Sequence, residues 1–114
     1  MTDTHQIANE AELRAILGVP NDNARAKITP ALNLAMKNFI AASPLIFVST
    51  IDELGNLDVS PKGDPPGFTV VLDDTTIAIP ERPGNKRADG FRNMLSNPHI
   101  GLIYLVPGLS LIHI

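Results

Sequence analysis

The chain has 114 residues but no cysteine, no tryptophan and only one tyrosine, and each absence excludes a class of function. Without cysteine there can be no disulfide, no thiolate metal site and no cysteine nucleophile. The lack of tryptophan and the single Tyr104 argue against an aromatic platform of the kind on which single-stranded nucleic acids stack. The formal net charge of −3 adds no electrostatic reason to expect a nucleic-acid partner.

Long apolar runs are also absent, so the sequence contains no stretch of the length that spans a membrane. Residues Met1 to His5 lack the basic and apolar regions of a signal peptide. We therefore expect a cytoplasmic protein without a membrane partner. What is present is an ordinary apolar fraction of 44%, in a chain of the size of one small domain.

The N-terminal part of the chain has helical patterns. Asn9 can cap a helix over 10–17, with Glu12 at the capping-box position and Gly18 as the stop. A second helix is predicted over 30–42, with Thr29 as its cap and Ser43-Pro44 as its end. Both helices are expected to serve as scaffold.

The pattern changes to strands from Leu45 onwards. Five short runs rich in β-branched residues are separated by turn residues, and a helix over 86–96 precedes the last run. The predicted strands are 45–51, 57–60, 68–72, 75–79 and 100–106. This order predicts a mainly β protein with helices, of the α+β class, built as a small antiparallel barrel or a strongly curled sheet.

Two basic motifs lie at the ends of the predicted hairpin over 68–79, at 60–64 (SPKGD) and at 83–87 (PGNKR). Lys86 and Arg87 fall in the first turn of a predicted helix, where the helix dipole disfavours cations. A phosphate held by these cations and by free backbone N–H groups would explain their position. The alternative is a solvated basic helix start, with Asp89 compensating the charge.

Other polar residues form no recognisable site. His5, His99 and His113 make neither a catalytic triad nor a metal-ligand spacing. Asp73-Asp74 is better explained by a hairpin turn than by metal binding. The sequence also lacks the glycine-rich signatures of dinucleotide and nucleoside triphosphate sites.

The last six residues, 109–114 (LSLIHI), match the translation of the start of a transposon-end sequencing adapter. We therefore expect this segment to be a non-native tail and the natural chain to continue differently after Gly108. The genomic reading frame beyond Gly108 tests this expectation.

A set of motifs extends over about seventy residues in a fixed order. It includes DVSPKGD, GF, LDDT, IP, RPGNKR, NP and a final PG, at 58–64, 67–68, 72–75, 79–80, 82–87, 97–98 and 107–108. With these motifs, the region from Phe39 to Gly108 resembles the pyridoxamine 5′-phosphate oxidase-like, FMN-binding split-barrel family, in its branch of small uncharacterised flavoproteins.

The resemblance implies a split barrel with FMN bound between the two subunits of a homodimer. The domain then comprises a helical region over 1–43 and a C-terminally truncated, partial FMN-binding barrel over 44–108. The resemblance also implies roles for eight cofactor-binding residues. These are Ser60, Lys62, Ile79, Pro80, Arg82, Asn85, Lys86 and Arg87.

In the family pattern, Lys86 and Arg87 clamp the flavin phosphate and follow a small polar residue, here Asn85. Ser60 and Lys62 match the strand that runs along the flavin, and a lysine there would stabilise the reduced ring. Ile79 and Pro80 would lie beside the ring or pack as ordinary apolar residues, and Arg82 could reach the phosphate. No catalytic acid or base is identified.

The resulting hypothesis is an FMN-dependent oxidoreductase that acts on a small molecule whose identity the sequence does not give. Two alternatives stay open at this point. One is a flavin- or haem-binding module without turnover, and the other is a deazaflavin-dependent reductase on the same barrel.

Overall fold

The structure is a computed structural model that describes residues 6–81 and 88–109. It divides into two compact units, Met1–Pro30 and Ala31–Ile114. That residues 1–43 form a helical region belonging to the same domain as the strands stays a prediction. No helix in the described ranges is long and apolar enough to cross a membrane.

The first unit contains helices α1 (Glu10–Leu17) and α2 (Asp22–Ala26). The predicted cap of α1 is confirmed, because Asn9 Oδ1 accepts a hydrogen bond of 2.9 Å from the N–H of Glu12. Glu12 in turn accepts one of 2.9 Å from the N–H of Ala8. The sequence pattern missed α2, whose five residues are too few to show an apolar period.

The second unit begins with helix α3 (Leu34–Ala42), and its predicted start at Pro30 is wrong. The cap is Asn33, whose side chain accepts from the N–H of Met36 at 2.9 Å, and not Thr29. Just before the cap, the N–H of Leu32 donates to the carbonyl of Asp74 at 2.7 Å. With Leu32 bonded to the distant hairpin turn, α3 begins about one turn later in the chain than predicted.

The strands of the second unit are antiparallel and form two sheets. The first sheet has the order β2-β1-β5, and the second is the hairpin β3-β4. Their bounds are β1 Leu45–Ile51, β2 Leu57–Gly63, β3 Val70–Asp73, β4 Thr76–Ala78 and β5 Gly101–Leu105. The predicted combination of antiparallel strands with helices is confirmed, and the closure of the strands into a barrel stays a prediction.

Strand β2 continues three residues past its predicted end at Ser60. It passes through Pro61, which lacks the N–H that a central strand needs. A proline is tolerated here because β2 is an edge strand of its sheet. The extension matters for function, since it places Lys62 on a strand and not in a loop.

Helix α4 (Asp89–Ser96) packs on β1. Asn93 Nδ2 donates a hydrogen bond of 2.9 Å to Oγ1 of Thr50, which is buried on β1. The buried apolar side chains Ile46 and Val48 lie on the same strand. The helix therefore covers one face of the three-stranded sheet and fixes the geometry of the site described next.

Candidate cofactor site

One face of β2 presents three polar side chains at alternate positions. Asp58, Ser60 and Lys62 point to the same side of the sheet because strand side chains alternate between its two faces. Directly opposite partners in an antiparallel pair share a face. Their partners on β1 are Thr50, Val48 and Ile46, in that order. The three polar residues thus face the side on which α4 packs.

A cavity of about 220 Å³ lies between β2 and α4, and we call it the helix-side cavity. Its polar lining consists of Thr50, Asp58, Ser60, Lys62, Glu81 and Asp89. Its apolar lining consists of Val48, Ala88, Phe91 and Met94. The lining thus combines charged and polar groups with apolar side chains, so that it can contact both the polar and the apolar parts of a small molecule.

A second cavity of about 230 Å³, the loop-side cavity, adjoins the residues that follow β2. Its lining includes Pro61, Asp64, Phe68 and Pro80. Ile79, although it belongs to the described part of the chain, lines neither cavity. Of the predicted cofactor residues, Ser60, Lys62 and Pro80 therefore come together around these two cavities.

Lys62 and Glu81 line both cavities. Lys62 Nζ donates a hydrogen bond of 2.9 Å to Glu81 Oε2, and the two charges form an ion pair between β2 and the residues after β4. Glu81 was missed because a partner 19 positions away leaves no trace in local spacing.

The first described turn of α4 contains Asp89, an acid that the helix dipole favours at this end. Ala88 precedes it with φ 55°, a left-handed conformation that costs a non-glycine residue about 1–2 kcal/mol. Such strain concentrates at functional sites. The predicted helix start at Lys86 lies outside the described residues, as do the site residues Arg82, Asn85, Lys86 and Arg87.

The described lining of the helix-side cavity is rich in negative charge. It contains the carboxylates of Asp58, Glu81 and Asp89 and the ammonium group of Lys62. A dianionic phosphate would need further cations at this position. The described residues of this cavity therefore suit the polar and apolar parts of a ligand better than a phosphate group.

Tyr104 lies on the same sheet face, directly opposite Ile46 on β1. Burial raises the pKa of its hydroxyl, although the hydrogen bond with Thr69 acts in the other direction. The hydroxyl donates to Oγ1 of the buried Thr69 at 3.1 Å. Tyr104 thereby links the three-stranded sheet to the residue just before β3.

A further cavity, of about 660 Å³, lies between the β1–β2 turn and α4 and shares Asp58 and Asp89 with the helix-side cavity. Its lining includes Asp52, Glu53, Leu54, Arg92 and the strongly exposed Leu95. Among the described residues, no group of three or more histidine, cysteine or acidic side chains could hold a metal ion. This cavity contains none of the predicted cofactor residues.

The fold and the cavities define a small α+β protein with antiparallel sheets and a ligand cleft between an edge strand and a helix. A profile of the pyridoxamine 5′-phosphate oxidase family matches residues 32–112, which is most of the chain. The chain therefore belongs to this family, whose members generally bind a flavin, and the resemblance described from the motifs is confirmed. Searches of curated proteins and of solved structures gave no match.

Proposed function

We propose that this protein is an FMN-dependent oxidoreductase that acts on a small molecule. The observation that carries the proposal is the convergence of Ser60 and Lys62 on one cleft, in a chain of a generally flavin-binding family. Bound FMN would supply a ring that takes up and releases electrons. The chain's own residues would anchor it, orient it and exclude water.

The cleft offers each part of a flavin a suitable partner. Val48, Phe91 and Met94 provide apolar contacts for a ring, and Ser60 and Lys62 provide hydrogen-bond donors on a rigid strand. The ammonium group of Lys62 would stabilise negative charge on a reduced ring. Pro80 would close the other side of the cleft, with Ile79 behind it.

The phosphate would bind to the basic motif. Lys86 and Arg87 would clamp it, Asn85 would add a hydrogen bond, and Arg82 could reach it from the start of the motif. Arginine suits bidentate contacts with phosphate oxygens, whereas lysine acts as a point charge. The acidic described lining of the helix-side cavity makes these cations necessary for phosphate binding.

We further propose a homodimer built on a split barrel, with FMN at the subunit interface and the protein located in the cytoplasm. The sheet face opposite α4 supports the dimer. Leu57, Val59 and Ile103 lie on that face and are 77%, 61% and 60% exposed. Large exposed apolar patches on soluble proteins mark interaction sites. Because β2 is an edge strand, a second subunit could contact both this face and the cleft beside it.

The visible absorption spectrum of the purified protein tests the cofactor. The two absorption bands of an oxidised flavin are expected, with FMN identified in the supernatant after denaturation. A Soret band would indicate haem, and a deazaflavin would be identified by the same extraction. Either result, or an apoprotein to which FMN does not bind, would overturn the proposal.

Exchanging both Lys86 and Arg87 for Ala tests the phosphate clamp. Loss of two charge-assisted hydrogen bonds should weaken FMN binding about 100-fold or more. Riboflavin, which has no phosphate, should bind the variant and the parent protein equally. The double variant Arg25→Ala, Lys27→Ala removes the same charge from the first unit and should leave FMN affinity unchanged. If the Lys86→Ala, Arg87→Ala variant bound FMN as tightly as the parent protein, the assignment of these residues as a phosphate clamp would be wrong.

A further inference from the structure

The ion pair between Lys62 and Glu81 lies at the boundary between two cavities. Both residues line the helix-side cavity and the loop-side cavity. Each cavity is smaller than about 300 Å³, the lower limit for most small-molecule sites, whereas the two joined fall within the usual range. The pair thus lies where an extended ligand would have to pass.

We propose that Glu81 is a positioning residue that holds Lys62 across the cleft until an anionic or electron-rich ligand displaces it. Lys62 then exchanges the Glu81 carboxylate for the ligand, and the two cavities become one cleft. This inference rests on the proposed function, because the ligand in question is the flavin.

Because both side chains are partly exposed, separating the two charges requires little free energy. The side chains of Lys62 and Glu81 are 31% and 51% exposed. Ion pairs of this kind contribute little to stability, because water screens them and solvates the separated charges. Glu81 would remain in contact with water after the exchange, so no buried charge would lose its partner.

The positions of the two residues also favour movement of Lys62 and not of the backbone. Lys62 is fixed on β2, but its ammonium group sits on a flexible four-carbon stem. Rotation about that stem is enough to move Nζ from Glu81 towards either cavity. The backbone of the edge strand can therefore stay in place during the exchange.

Affinity for FMN tests the exchange. In Glu81→Gln the lysine is no longer held by a charge, and FMN should bind about two- to five-fold more tightly, the equivalent of one exposed ion pair. Glu81→Asp, which keeps the charge, should restore the parent affinity. The matched control Glu53→Gln removes an exposed carboxylate outside both cavities and should change nothing.

A double-mutant cycle separates this effect from direct repulsion between Glu81 and the ligand. Lys62→Met should weaken FMN binding, and adding Glu81→Gln to that variant should give no further gain. An equal gain with and without Lys62 would mean that Glu81 acts directly on the ligand, and would overturn the inference. No gain in Glu81→Gln alone would overturn it as well.

The reactivity of the lysine in the protein without flavin gives a second readout that does not depend on FMN. Acetylation of Lys62 by an amine-specific reagent, followed by peptide mass spectrometry with Lys27 as internal reference, should be faster in Glu81→Gln. An unchanged rate would show that Glu81 does not hold Lys62. A faster rate without FMN binding in any variant would overturn the proposed function and the displacement together, while leaving the ion pair itself established.

Discussion

Asp52 organises the turn between β1 and β2 through hydrogen bonds to both of its carboxylate oxygens. Oδ1 accepts from the N–H of Leu54 at 2.9 Å and from the N–H of Asn56 at 2.8 Å. Oδ2 accepts from the side-chain amide of Asn56 at 3.0 Å. These bonds, with the Asn56 side chain as the largest contribution, lower the pKa of Asp52 below its ordinary value of 3.8.

The lowered pKa predicts a pH-dependent contribution of Asp52 to stability. A carboxylate with a lower pKa in the folded state than in the unfolded state stabilises the fold above pH 3.8. This contribution is lost as the pH falls through the folded-state pKa. Asp52→Asn, which keeps the shape but not the charge, should therefore lower the urea midpoint at pH 7, and the difference from the parent should shrink as the pH falls below 3.8 and vanish below the folded-state pKa.

Urea unfolding at several pH values measures this difference. Glu53→Gln removes the neighbouring exposed carboxylate from the same turn and serves as the control, with a midpoint expected to change less at pH 7. A difference between parent and Asp52→Asn that persists unchanged to low pH would exclude charge as its source.

At the scale of elements, Ser43 joins the end of α3 to two strands. It is 1% exposed, and its Oγ lies 2.8 Å from the carbonyl oxygen of Leu45 and 2.6 Å from that of Leu105. The single hydroxyl proton can be donated to only one of these carbonyls at a time. Ser43 thereby links α3 to β1 and to β5 at a point that water does not reach.

Replacement of Ser43 by Ala should therefore destabilise the protein. Removing the buried hydroxyl takes its hydrogen bond away from the carbonyl that accepts it, which costs about 1–3 kcal/mol. Ser96→Ala is the matched control, because Ser96 also donates to a carbonyl, that of Asn93 at 3.0 Å, but in an exposed position. Its expected cost is within about 0.5 kcal/mol. Chemical denaturation of both variants measures the contrast, and equal costs would contradict the argument.

Helices and strands could be predicted from the sequence where the residues that mark their ends lie next to them in the chain. Strand β1 has the predicted bounds because a β-branched run lies between Pro44 and a turn. The start of α3 was missed because a bond from Leu32 to the distant Asp74 competes with the local Thr29-Pro30 signal. The predicted β2 was too short because a proline such as Pro61 usually ends a strand. An edge strand tolerates proline, but the sequence does not show which strand lies at the edge.

For the molecule as a whole, the sequence identified candidate residues that the structure brings close together, but it did not identify their partners. The structure places Ser60 and Lys62 on one face of β2, although the predicted strand ended at Ser60, and it brings Pro80 to the adjoining cavity. Glu81 and Asp89 could not be foreseen, because their place depends on how β4 and α4 pack against β2. The basic residues 82–87 lie outside the described residues, so their phosphate-binding role stays a prediction.

The apolar sheet face provides the test of assembly. If a second copy of the chain covers this face, a charge at its centre must be buried without a partner, which costs several kcal/mol. Val59→Glu should therefore convert a dimer to a monomer in sedimentation equilibrium. Leu95→Glu, at a side chain of α4 that is 89% exposed, adds the same charge and should stay dimeric.

Retention of FMN by the monomeric Val59→Glu variant then locates the cofactor relative to the interface. If the flavin is held between subunits, loss of the partner removes part of its contacts, and FMN affinity should fall together with dimerisation. Full affinity in a monomer would place all flavin contacts within one chain. A parent protein that is monomeric at every concentration would contradict the homodimer itself and leave the apolar face for another partner.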